Sequence, residues 1–112
     1  MNEILITKIV QTTTGVVLLP SRPIAKSNLT DTGNYRLRLA CGLKATAALP
    51  IYIQTTDANI PVLCKYGNLV HSNQLKTRKC YNIGYGNGNP SYTDGQFVIL
   101  SNICPGTITL NA

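Results

Sequence analysis

Tryptophan is absent from the chain, Phe and His occur once each, and Asp and Glu together occur four times. These shortages exclude several chemistries. Glycoside hydrolysis needs a pair of carboxylates flanking the scissile bond. Here Glu3 stands near the N-terminus, and Asp31, Asp57 and Asp94 each follow a Thr in a turn-like context. At such places a short side chain accepts from its own backbone, so the three Asp read as turn residues. A Cys–His nucleophile needs a base oriented by a third group. His71 sits beside Ser72 and Asn73 with no such group nearby, and reads as a loop histidine despite Cys64 and Cys80 on either side in sequence. The four Cys, at 41, 64, 80 and 104, include no close-spaced pair. A zinc site usually takes two ligands from one turn, so no metal centre is expected. No apolar run approaches the ~20 residues that span a bilayer as a helix. No catalytic residue, cofactor or metal ligand is expected.

What is present fits one small domain. A chain of 112 residues can bury roughly 65% of its unfolded surface around a single core. Hydrophobic residues make up 44%, which argues against disorder. Charged residues make up only 12%, about half the ordinary share of roughly 25%. Thr, with 13 copies, and Asn, with 11, take their place. Such a surface is wetted by hydroxyls and amides and is poorly protected against association. The net charge is +6. It keeps a Thr/Asn surface in solution, and it also draws the protein toward nucleic acid, anionic membrane or an acidic partner. Met1, Asn2 and Glu3 provide no basic leader, and Lys8 interrupts the first apolar run, so no signal peptide is expected. Free, mostly buried thiols follow from that expectation.

Along the chain the pattern is that of short strands. Residues 3–10 and 16–19 are apolar and β-branched, and QTTTG between them invites a hairpin. Residues 20–33 form a long connection with two Pro, Asn28, Asp31 and Gly33. Residues 35–41 alternate most clearly: Tyr35, Leu37, Leu39 and Cys41 on one face, Arg36 and Arg38 on the other. Residues 42–49 are small and suit at most a helical turn. Strands are expected at 50–55 and 62–65, with turns at 56–61 and 66–68, a short continuation at 69–71 and a break at 72–74. In the strand expected at 75–85, Tyr81, Ile83 and Tyr85 share one face, and Lys76, Arg78 and Cys80 the other. A helix there fails, because no apolar stripe forms from Leu69 onward. The run 84–95 reads as a Gly/Asn-rich loop. Its spaced glycines lack the following helix that a phosphate loop requires. Residues 96–100 read as a strand buried on both faces, and 107–110 as a last short strand. The fold expected is all-β: a small sandwich, jelly roll or barrel of about eight short strands.

The stretch 60–85 concentrates what chemistry there is. It holds the only His, two Cys, Tyr66, Tyr81 and Tyr85, and the cations Lys65, Lys76, Arg78 and Lys79, with no acid. Arg36 and Arg38 extend the set. These six cations are the candidate partner-binding residues. Cations beside aromatic rings on a β-surface suit single-stranded nucleic acid, where charge tracks phosphate and rings stack bases. A basic strand face suits docking on an acidic protein equally well.

In style the chain resembles the small all-β structural proteins of tailed bacteriophages, the head-decoration or auxiliary capsid proteins and head-fibre bases. The resemblance spans the whole chain. It rests on the short all-β pattern, the Thr and Asn in place of charge, the Gly/Asn loop at 84–89 and the Pro-containing arm at 20–33. It implies a virion structural protein without catalysis. Such a protein self-associates on a symmetric capsid surface after synthesis in the host cytoplasm, with no membrane partner. The alternative is a basic β-barrel that binds single-stranded nucleic acid.

Overall fold

The computed structural model describes residues 2–25, 29, 33–40, 49–75, 80–86 and 95–101. Within them the β-branched and alternating segments form seven strands: β1 (Asn2–Gln11), β2 (Val16–Pro20), β3 (Asn34–Leu39), β4 (Ile51–Gln54), β5 (Asn59–Cys64), β6 (Cys80–Gly86) and β7 (Gln96–Ile99). The one helical element among the described residues is a single 3₁₀ turn, Ser72–Gln74. Of sandwich, jelly roll and barrel, the chain forms the barrel. Its strands close in the order β1-β2-β4-β5-β7-β6-β3, and β3 returns to β1. The strand expected at 107–110 and residues 41–48 lie outside the described residues.

The ring is built from three antiparallel pairs, β1–β2, β4–β5 and β6–β7. Parallel contacts β2–β4 and β5–β7 join them. The remaining gap is filled by β3, antiparallel to β6 and parallel to β1. Every described strand therefore has a neighbour on both sides, which removes free sheet edges.

Side chains of alternating residues fill the interior. The core is mainly aliphatic, with Ile4, Ile6, Leu18, Leu37, Ile51, Ile53, Ile60 and Ile83 among its buried members. Tyr35, Tyr81, Tyr85 and Phe97 supply the aromatic bulk. Tyr85 and Phe97 face each other across β6 and β7, with ring centroids 5.4 Å apart in an edge-to-face arrangement. That geometry suits the ring quadrupoles. Gly95 opens β7 with φ +90°, and a side chain there would run into the Tyr85 ring.

Three departures from simple alternation have local causes. In β1, Ile4 and Ile6 point inward, and the next inward residue is Ile9. A spacing of three breaks a period of two, and a bulge between Ile6 and Lys8 absorbs the extra residue. In β5, pairing begins at Asn59, earlier than the strand expected from Val62, and Pro61 lies inside it. Counting from the Thr55 N–H to Ala58 C=O bond, Tyr52–Pro61 falls on a non-hydrogen-bonded pair. Pairing with β7 starts only at Val62. The N–H that Pro61 lacks is thus needed by neither neighbour. Beyond that pair β4 and β5 splay, and residues 69–71 wedge between them. Val70 N–H donates to Val62 C=O, while Val70 C=O accepts from Ile51 N–H. The Val70 side chain joins the core.

The structure also corrects two loop and burial expectations. Gly86, expected in a loop, belongs to β6, as does Gly84, where the expected strand and loop overlap, and residues 87–94 of that loop lie outside the described residues. In β7 the run QFVI is not buried on both faces: Phe97 and Ile99 enter the core, while Gln96 and Val98 are half-buried outside it. A closed barrel has one interior, so most strands bury one face fully; β5, with Ile60, Pro61, Val62 and Leu63 all buried, is the exception.

Candidate partner-binding face

The clearest candidate face is the outside of β3. Tyr35, Leu37 and Leu39 anchor the strand in the core, and the alternation leaves Arg36 and Arg38 exposed on the outer wall. Two residues apart on one strand, the guanidinium stems start roughly 6.5 Å apart. Their neighbours follow from the register. Arg36 stands between Glu3 on β1 and Asn82 on β6, and Arg38 between Leu5 and Cys80. One carboxylate is therefore level with Arg36, whereas Arg38 has only apolar and thiol neighbours in its row.

The other candidate cations divide. Lys65 is exposed in the turn after β5, with its amine 5.9 Å from the Tyr66 ring centroid. Tyr66 itself is 81% exposed, because Gly67 at φ +88° turns the chain sharply and leaves the ring at the tip. β5 stands across the barrel from β3, so Lys65 does not join the arginines. Lys76, Arg78 and Lys79 lie outside the described residues.

The remaining residues singled out by chemistry take structural places. His71 is half-buried in the wedge segment, bridging to Pro50, and its N–H donates to Gln74 Oε1 at 2.8 Å. Cys64 and Cys80 are free thiols, half-buried and exposed respectively. Cys80 corrects the expectation of mostly buried thiols: it opens β6 on the outward phase, while Tyr81, Ile83 and Tyr85 take the inward one. Asp57 lies in a turn as expected, but the hydroxyl that organises that turn is Thr55. Asp31, Asp94, Cys41 and Cys104 lie outside the described residues. Among the described residues no three His, Cys, Asp or Glu side chains are grouped to hold a metal ion.

Two clefts mark the outer wall. One, of about 410 Å³, lies where the chain leaves β2, between Glu3 and Leu5 on one side and Arg22 and Ile24 on the other. The second, of about 340 Å³, lies between the β1–β2 turn and the outer faces of β4 and β5, with Tyr52 in its lining. The second has a trace in the sequence that the strand-by-strand reading does not use. QTTTG at 11–15 and QTTDA at 54–58 share their first three residues and form matching turns. In each, the first Thr donates its backbone N–H to the carbonyl three residues on, at 2.8 Å in one and 2.9 Å in the other.

Comparison with known proteins finds no family model, no curated protein and no solved structure that matches the chain.

Proposed function

We propose that the chain is a non-enzymatic virion structural protein, a capsid decoration or auxiliary protein that docks the outer face of β3 on an acidic shell surface. The observation that carries the docking part is the pair Arg36 and Arg38, held outward by a strand whose other face is locked in the core. A rigid wall presents charge without ordering a loop on binding, so less entropy is lost. The chain enters β6, the neighbour of β3, directly after the cations Lys76, Arg78 and Lys79 in sequence. The virion context comes from the resemblance in chain style and is the part that gene neighbours test. A major capsid or portal gene beside this one supports it; replication genes contradict it.

A second reading, binding of single-stranded nucleic acid, is favoured by Tyr66 and Lys65, an exposed ring with a cation beside it at a turn tip. Such a pair stacks a base and touches its phosphate. One experiment separates the readings. Wild type and an Arg36→Ala/Arg38→Ala variant are titrated with polyglutamate and with a single-stranded oligonucleotide. Docking predicts salt-sensitive polyglutamate binding that the double variant loses. Nucleic-acid binding predicts oligonucleotide retention that Tyr66→Ala weakens.

A further inference from the structure

The cleft beside Tyr52 is distinct in character from the arginine wall. Its lining is Thr12, Thr14, Gly15, Val17, Tyr52 and Asn59, and none of these carries a charge. In the ring of strands β4 and β5 are the farthest from β3, three steps away in either direction. The protein thus turns a neutral cleft to one side and its arginine pair to the other.

Both ends of this cleft are fixed by the same device. Thr12 Oγ1 donates to Gly15 C=O at 3.0 Å and accepts from the N–H groups of Gly15 at 3.0 Å and Thr14 at 3.3 Å. At the other end of β4, Thr55 Oγ1 donates to Ala58 C=O at 2.6 Å. It accepts from the N–H groups of Ala58 at 3.0 Å and Asp57 at 3.3 Å. Asn59 follows that turn directly. The ring of Tyr52 is set between them. A Cβ built on Gly15 would stand 2.7 Å from Tyr52 Cε1, so the bare glycine is what lets the ring lie where it does.

The polar groups around the ring retain hydrogen-bonding capacity. Among the described residues, the Tyr52 hydroxyl and the Asn59 amide form no hydrogen bond, and the Thr14 hydroxyl meets only Thr12 at 3.5 Å. A charged ligand finds no counter-charge in such a lining and loses its hydration shell without return. A purely apolar ligand leaves the hydroxyls and amide unpaired. The chemistry that matches is a ligand with an apolar C–H face and a rim of neutral hydroxyls. The volume is within the ordinary range for small-molecule sites, about 300–1,000 Å³.

We propose that this cleft binds a neutral saccharide unit, with Tyr52 as its apolar support and Thr14 and Asn59 as hydrogen-bonding ends. The proposal does not depend on the docking role of β3. The test is an amide NMR titration of the full chain. The probes are the methyl glycosides of glucose, galactose and N-acetylglucosamine, with glucuronate as a charged control, each to tens of millimolar. Saturable shifts at Thr14, Gly15, Tyr52 and Asn59 are expected with at least one neutral probe. They are lost in Tyr52→Ala and in Asn59→Ala, an exposed position that leaves the fold intact, and kept in Arg36→Ala/Arg38→Ala. The proposal is overturned by no saturable response to any neutral probe, by a response persisting in Asn59→Ala, or by a larger response to glucuronate. Shifts at these residues that follow protein concentration alone would also overturn it, and would make the wall a contact between copies.

Discussion

Single hydroxyls and single hydrogens at Cα positions decide the turns of this barrel. Thr55 is 7% exposed and closes its turn with three side-chain hydrogen bonds. Thr55→Val keeps the shape and removes those bonds, leaving backbone groups in a half-dry place. A loss of about 1–3 kcal/mol is expected in urea unfolding. Thr12 makes the same bonds on an exposed turn, where water replaces them. Thr12→Val should therefore cost clearly less. Equal costs would show that burial does not govern the clamp. Gly95 is more sensitive still. Its φ of +90° and the Tyr85 ring against it leave no room for a methyl group. Gly95→Ala should lower stability by more than about 1 kcal/mol, the upper end of a strain-free change at this type of site, and should disturb the Tyr85–Phe97 pair. Near-ultraviolet circular dichroism and the urea midpoint read both effects. Thiol reactivity follows exposure in the same way: Cys80 should react with a bulky disulfide reagent before Cys64 in the native protein. The opposite order would contradict the outward phase of Cys80 on β6.

At the scale of strands, the sequence is readable wherever one period of two runs uninterrupted. The alternation of Tyr35, Leu37 and Leu39 with Arg36 and Arg38 appears unchanged in β3, and Tyr81, Ile83 and Tyr85 share the core as expected. The hairpin of β1 and β2 likewise forms around QTTTG. Legibility fails where long-range pairing overrides local signals. Pro61 reads as the end of a turn, yet it sits inside β5 because its missing N–H meets no partner. Gly86 reads as a loop residue, yet pairing with Gln96 holds it in β6. The bulge in β1 was written in the spacing of Ile4, Ile6 and Ile9, but only the barrel shows which face must be kept. For the candidate sites the pattern is similar. The arginine pair on β3 is a local feature and was legible. The separation of Lys65 from it depends on ring order, which no local pattern encodes. The Tyr52 cleft joins residues from two hairpins, so only the repeated QTT hints at it.

For the whole molecule, closure changes the reason to expect self-association. The apolar first strand is not an open edge: β1 pairs with β3 over residues 2–6 and with β2 over residues 6–11. The remaining motive is a surface with ten Lys and Arg and four Asp and Glu in 112 residues, on which Val10, Tyr66 and Leu100 stand exposed. Light scattering at micromolar concentration should show more than a monomer; a monomer persisting at high concentration contradicts self-association without touching the fold. The proposed docking role is tested most directly by sedimentation. Wild type and Arg36→Ala/Arg38→Ala are sedimented with acidic particles, polyglutamate-coated shells, over a series of salt concentrations. Both positions are exposed, so the double variant should unfold within about 0.5 kcal/mol of wild type. Wild type should pellet with the shells at low salt and be released as screening shortens the reach of charge to ~8–10 Å. The double variant should stay in the supernatant throughout. Equal pelleting of the two proteins, or binding indifferent to salt, would contradict docking through the arginine wall.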